Sequence, residues 1–90
     1  MNFQVFWVSA AEDELAAIWI DADDRNAITT AAHRIDSVLR VNPENAGESR
    51  DEGRRILIER PLGVTFDVSS QDRTVFVLTV WRFVSRRDNP

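Results

Sequence analysis

Apolar and polar positions alternate along the chain in a way that divides it into one strand, two helices and three further strands. Residues 2–8, NFQVFWV, place Phe3, Val5 and Trp7 on one side and Phe6 and Val8 on the other, the period of a strand. The stretch S-A-A-E that begins at Ser9 predicts a capping box, with Glu12 reaching back to the cap amide. Acidic residues 12–14 suit the positive end of the helix dipole. Leu15, Ile18, Trp19 and Ala22 then recur at helical spacing, which predicts a first helix over roughly residues 10–22. Asp21, Asp23 and Asp24 crowd its far end, where negative charge is unfavourable, and should stop it. A second helix over residues 25–41 carries an apolar stripe of Ile28, Ala31, Ala32, Ile35, Val38 and Leu39. Pro43 ends it, and residues 42–53 read as loop.

Three strands are predicted after that loop, over residues 54–60, 64–68 and 74–83. Pro61-Leu62-Gly63 and Ser69-Ser70-Gln71-Asp72 are turn chemistry, so the three form a meander of hairpins. Val64, Phe66 and Val68 share one face, and Phe66 is expected to meet Ile35 across a helix–sheet interface. In the last strand strict alternation sets Phe76, Leu78 and Val80 against Val75, Val77 and Trp81. The expected architecture is α+β in the order β-α-α-β-β-β, an antiparallel sheet with a helical hairpin on one face. The place of the first strand in that sheet is left open. One domain over residues 1–90 is expected, with about 84–90 as a tail, since roughly 100 residues is ordinary domain size.

Composition narrows the function. Net charge is −4 and the pI about 4.8, which argues against broad, salt-driven binding to nucleic acid. All 11 cations are arginine, and the chain holds no lysine, tyrosine or cysteine. Residues 1–45 carry 3 arginines against 8 acids and residues 46–90 carry 8 against 7, so an anion-binding surface belongs to the second half. The N-terminal stretch lacks the basic start of a signal peptide, and no segment approaches the ~20 apolar residues of a membrane span. A cytoplasmic protein without a cofactor is expected. The cluster Asp21, Asp23, Asp24 lacks the glycine and distal glutamate of a calcium loop, so no metal site is expected.

Three stretches taken together, FWVSAAEDELAAIW, AITTAAHRIDSVLRVNPENAGESR and GRRILIERPLGVTFDVSSQDRTVFVLTV, give the chain a resemblance to the RelE/ParE toxin superfamily of bacterial toxin–antitoxin systems. It extends over about residues 3–83. It implies a toxin associated with plasmid stabilization, a cognate antitoxin that wraps it, and a target that differs by branch. One branch cuts messenger RNA on the ribosome. The other is reported to poison DNA gyrase.

The nuclease branch uses strand-borne basic residues to hold phosphate and a C-terminal tyrosine or histidine to transfer a proton. Arg54 and Arg55 match the basic start of one strand and Arg82 a basic residue late in the last. Gly63 stands about where nuclease members carry an arginine. Arginine stabilises charge well but accepts protons poorly, and the one histidine, His33, falls mid-way along the second helix, where it reads as an exposed helix residue. No catalytic residue is therefore assigned, and the ParE-like, protein-binding branch is the expectation. An mRNA-cleaving toxin, or a repurposed member acting as an interaction module, is the alternative.

For Arg54 and Arg55 the plainer reading is neutralisation of Asp51, Glu52 or Glu59 in the charge run from Glu48 to Arg55. The candidate partner surface is the sheet face that one hairpin leaves uncovered. Trp81 is its expected anchor, Leu57 and Val77 its apolar ground, and Arg54, Arg55 and Arg82 its rim. Trp7 and Trp19 are expected in the core.

Overall fold

The computed structural model describes residues 2–84. The chain runs β1 (Gln4–Trp7), α1 (Ser9–Asp21), α2 (Arg25–Val41), β2 (Glu48–Ser49), β3 (Arg55–Glu59), β4 (Leu62–Ser69) and β5 (Thr74–Arg82). The sheet order is β1-β5-β4-β3-β2. The meander β3-β4-β5 is antiparallel, as its turns require, and β1 lies parallel to β5 at the edge, with Val5 opposite Val75 and Trp7 opposite Val77. The expected loop over residues 42–53 contains the two-residue strand β2, which pairs Glu48 with Ile56. The expected tail falls almost wholly on residues 85–90, outside the described residues.

The capping box is not formed. α1 begins one residue early, its cap is Val8, and no side chain caps it; the Glu12 amide donates to the Val8 carbonyl instead. At α2 the cap is Asp24, whose carboxylate accepts from the Ala27 amide at 3.2 Å. Asp24 thus serves the start of the second helix rather than the end of the first. α1 stops where its last carbonyls, Trp19 and Ile20, are taken by the Arg25 guanidinium at 2.9 and 2.8 Å.

Both helices cover the same face of the sheet. α2 buries Ile28, Ala31, Ile35 and Leu39, the expected stripe, against Phe66, Leu62 and Val64 of β4. Ile35 and Phe66 are both fully enclosed, as expected. Val75, Val77 and Leu57 are buried in this same core, at 0%, 0% and 8% exposure, and so do not belong to the uncovered face. The reason is a bulge. Thr65 pairs with Thr79 but Phe66 pairs with Val77, so β5 carries one extra residue between them. Val75 and Val77 point at the helices before the bulge, Val80 after it, and strict alternation fails across it. For Leu57, pairing with buried Val64 settles the face, because β3 is apolar at both parities.

The bulge is held by a helix side chain. The Glu14 carboxylate of α1 accepts from the Val80 amide at 3.0 Å. The capping expectation had assigned helix-dipole work to residues 12–14 without distinguishing among them; packing gives Glu14 a second duty.

Candidate functional site

Cross-strand pairing defines the face that the helices leave open. Phe6 of β1 lies opposite Phe76 of β5, which lies opposite Asp67 of β4. The two rings stack with centroids 6.0 Å apart, and both remain exposed, at 49% and 41%. One row on, Ile56, Thr65 and Thr79 are in register, and the two threonine hydroxyls bond at 2.6 Å. The next row sets Ile58 and Trp81 on either side of Gly63. Ile58 is 48% exposed. The Trp81 indole lies over Gly63 so closely that a Cβ there would meet the ring at 2.6 Å. Only a glycine admits the ring, which explains the residue at this position as packing. Phe83 meets Trp81 edge-on at 6.3 Å, and the Arg60 guanidinium caps Phe83 at 4.7 Å.

The candidate residues divide between the two faces. Trp81 is on the open face, half-buried. Arg54 borders it and pairs with Asp67 at 3.4 Å, both side chains about half exposed. Arg55 is turned the other way, in register with buried Phe66, and its guanidinium donates to the carbonyls of Ala46 and Gly47 at 2.8 and 3.3 Å. It fastens the loop to the sheet rather than rimming a site. Arg82 is in register with buried Leu62 and reaches Asp21 at 3.9 Å, on the helix side. The proposed rim of three arginines is therefore not assembled: Arg54 and Trp81 share a face, and Arg55 and Arg82 do not join them. Leu57 and Val77, buried, offer nothing to a partner at this face. Within the charge run Arg50 pairs with Glu48 at 2.9 Å, whereas Arg54 and Arg55 find their partners outside it rather than in Asp51 or Glu59.

Sequence reasoning missed Phe6, Phe76 and Arg60. The signal was present in part: β1 and β5 are apolar at both parities, which one layer of helices cannot cover. Chemically, this face presents aromatic rings, two isoleucines and two guanidinium groups. It can bury apolar surface and stack planar groups. His33 is elsewhere, on α2, lining the outer groove between the helices.

That groove has a volume of about 710 Å³, with Trp7, Leu15, Ala16, Trp19, Ile20 and Ile28 among its walls. Trp19, expected in the core, is 42% exposed there. Its indole donates to the Thr29 hydroxyl at 3.2 Å, and Arg25 stacks on its ring at 4.7 Å. Trp7 is half-buried and packs against the core. Among the described residues no cluster suited to a metal ion occurs, and no helix is long and apolar enough to cross a membrane.

A parallel edge strand, two helices on one face and an antiparallel meander make up the fold of the RelE/ParE toxins. A chain of the RelBE2 toxin–antitoxin complex from Mycobacterium tuberculosis superposes with a TM-score of 0.78 at 15% identity, over 94% of this chain and 95% of that one. A chain of the chromosomal ParDE system of P. aeruginosa gives 0.67 at 22% identity, over 91% and 97%. The isolated E. coli RelE toxin gives 0.66 at 15% identity, over 94% and 88%. No protein-family model and no curated protein matches the sequence.

Proposed function

We propose that the protein is the toxin component of a type II toxin–antitoxin system, of the ParE-like kind that acts by binding a protein, and that a cognate antitoxin neutralises it. The observation that carries this reading is the chemistry of the open sheet face. Phe6, Phe76, Ile58 and Trp81 make it apolar and aromatic, and tryptophan and arginine are the residue types that most often dominate protein binding energy. Phosphodiester cleavage would call for a group that exchanges a proton near neutral pH beside the bound phosphate. The sequence has no tyrosine or lysine, and its single histidine lines the helical groove. The fold shared with RelBE2, ParDE and RelE supports the toxin reading at the level of architecture. On the ParE-like reading the target is DNA gyrase; on the RelE-like alternative it is the translating ribosome.

The test is induced expression in a bacterial host, with and without the product of the adjoining reading frame. Growth arrest relieved by that product is expected, with no codon-positioned cuts when ribosome-bound messages are mapped by primer extension. Cuts that vanish in Arg54→Ala would replace this reading with the nuclease one. Absence of arrest at verified soluble expression would leave only an interaction module.

A further inference from the structure

The two edges of the sheet are built differently. β2, at one end, is two residues long, and Glu48, Arg50 and Asp51 set charge along it. Short length and charge protect an edge strand from pairing with another chain. β1, at the other end, has no such protection: residues 2–11 carry neither a charged side chain nor a proline. Its backbone is half used. The amides of Gln4 and Val8 donate to the carbonyls of Arg73 and Val77, at 2.9 and 3.0 Å, on the β5 side. Alternate amides of a strand point to opposite edges, so those of Phe3, Val5 and Trp7 point away from β5. The Arg40 carbonyl, near the end of α2, accepts from Phe3 at 2.7 Å. Among the described residues no strand lies beyond β1 to pair with Val5 and Trp7.

The side chains at this edge are also left incomplete. Val5 and Trp7, on the helix face, are half-buried, whereas their register partners Val75 and Val77 are fully buried. The core thins where the sheet stops. On the open face Phe6 has Phe76 on its inner flank and remains 49% exposed.

We propose that β1 pairs antiparallel with β1 of a second copy of this chain, about a two-fold axis at Phe6, so that two sheets become one. The register follows from which amides are free. Val5 and Trp7 are two residues apart and both point outward, so Val5 of each copy exchanges both backbone bonds with Trp7 of the other. Phe6 then faces its own counterpart in the close pairing that lies between such bonds, with Cα atoms about 4.5 Å apart. The axis stands perpendicular to the sheet, which keeps both helix layers on one side and both open faces on the other. Phe76 and Phe6 of each copy thus form one row of four rings across the junction. On the helix side each tryptophan gains a valine opposite it, a favourable cross-strand pair. The absence of charge in residues 2–11 means that nothing on β1 repels its copy. Pairing over so short a strand buries less than the ~1,600 Å² of a standard stable complex, so the dimer is a weak one. The inference is independent of the toxin reading, since it concerns an edge and not a target.

The test is sedimentation of the full chain from about 1 μM to about 1 mM, the range in which a small interface associates. The parent should pass from monomer to dimer. Phe6→Lys and Phe6→Glu should each stay monomeric, because like charges then face one another directly across the axis. An equimolar mixture of the two variants should recover a one-to-one dimer, an outcome that a merely structural role for Phe6 would not produce. A parent that is monomeric throughout, a dimer that survives in both variants, or a mixture that fails to associate would overturn the proposal. If the variants unfold, hydrogen exchange on the parent decides. Protection of the Val5 and Trp7 amides should rise with protein concentration, while that of Gln4 and Val8, already bonded within the chain, should not. Unchanged exchange at Val5 and Trp7 would overturn the pairing. So would protection that appears only when the product of the adjoining reading frame is added, since the edge would then belong to that partner. Growth arrest without any dimer would leave the toxin reading standing and remove this one.

Discussion

The bond from Glu14 to the Val80 amide decides which residues β5 presents to each side of the sheet, and so it is the place to perturb. A bulge frees an amide from the ladder, and here that amide lies in a partly buried position beneath α1. Replacing Glu14 by alanine removes a charged acceptor. A hydrogen bond to a charged group contributes roughly 1.5–3 kcal/mol, and an amide left without a partner in the interior costs a similar amount. Against this, alanine is the better helix former by about 0.4 kcal/mol at an exposed helical site. The net expectation for Glu14→Ala is a loss of about 1–2 kcal/mol. In a domain of this size that lowers the melting temperature by about 4–8 °C for each kcal/mol. Glu14→Gln, which keeps a neutral acceptor, should fall between. Asp13→Ala, one position away and exposed, should change stability by less than about 0.5 kcal/mol. Thermal and urea melts give the ranking, and hydrogen exchange at the Val80 amide gives the cause: protection there should fall in Glu14→Ala more than at Val75 or Val77. A melt within about 2 °C of the parent, with Val80 still protected, would show that the carboxylate does not hold the bulge.

Other expectations follow from the two faces of the sheet. Phe66→Ala, in the core, should cost about 3–5 kcal/mol, whereas Phe76→Ala should cost about 1 kcal/mol, the worth of its stack on Phe6; similar losses in urea melts would contradict the face assignment. Gly63→Ala should force the Trp81 ring aside and destabilise by about 1–3 kcal/mol, and it should shift the tryptophan emission spectrum, because the new methyl takes the space of the ring. Trp81→Ala should weaken binding to the cognate antitoxin or target by about 2 kcal/mol or more in calorimetry while the melt stays near the parent's; normal binding would remove Trp81 from the interface.

The sequence by itself determined the two helices, the four longer strands and the inner face of the second helix. The stripe from Ile28 to Leu39 has one apolar side only, so period and solvent leave a single solution. It also determined the meander, because Pro61 and the polar stretch after Ser69 turn the chain, although Leu62 and Gly63, expected in the first turn, belong to β4. Tertiary structure decided what local pattern left degenerate. β3 and β5 are apolar at both parities, so alternation names two faces without saying which is buried. Pairing of Leu57 with Val64, and one extra residue before Thr79, settled that for Leu57, Val75 and Val77. The same bulge lets Trp81 face outward while Val75 and Val77, grouped with it by strict alternation, face the helices. The arginines followed their strands: Arg54 and Arg55 are neighbours in sequence and therefore point to opposite sides, one to Asp67 and one to the carbonyls of the preceding loop. Only the closed sheet placed β1 beside β5, bringing Phe6 onto Phe76, because parallel pairing across some 70 intervening residues leaves no local mark in the chain.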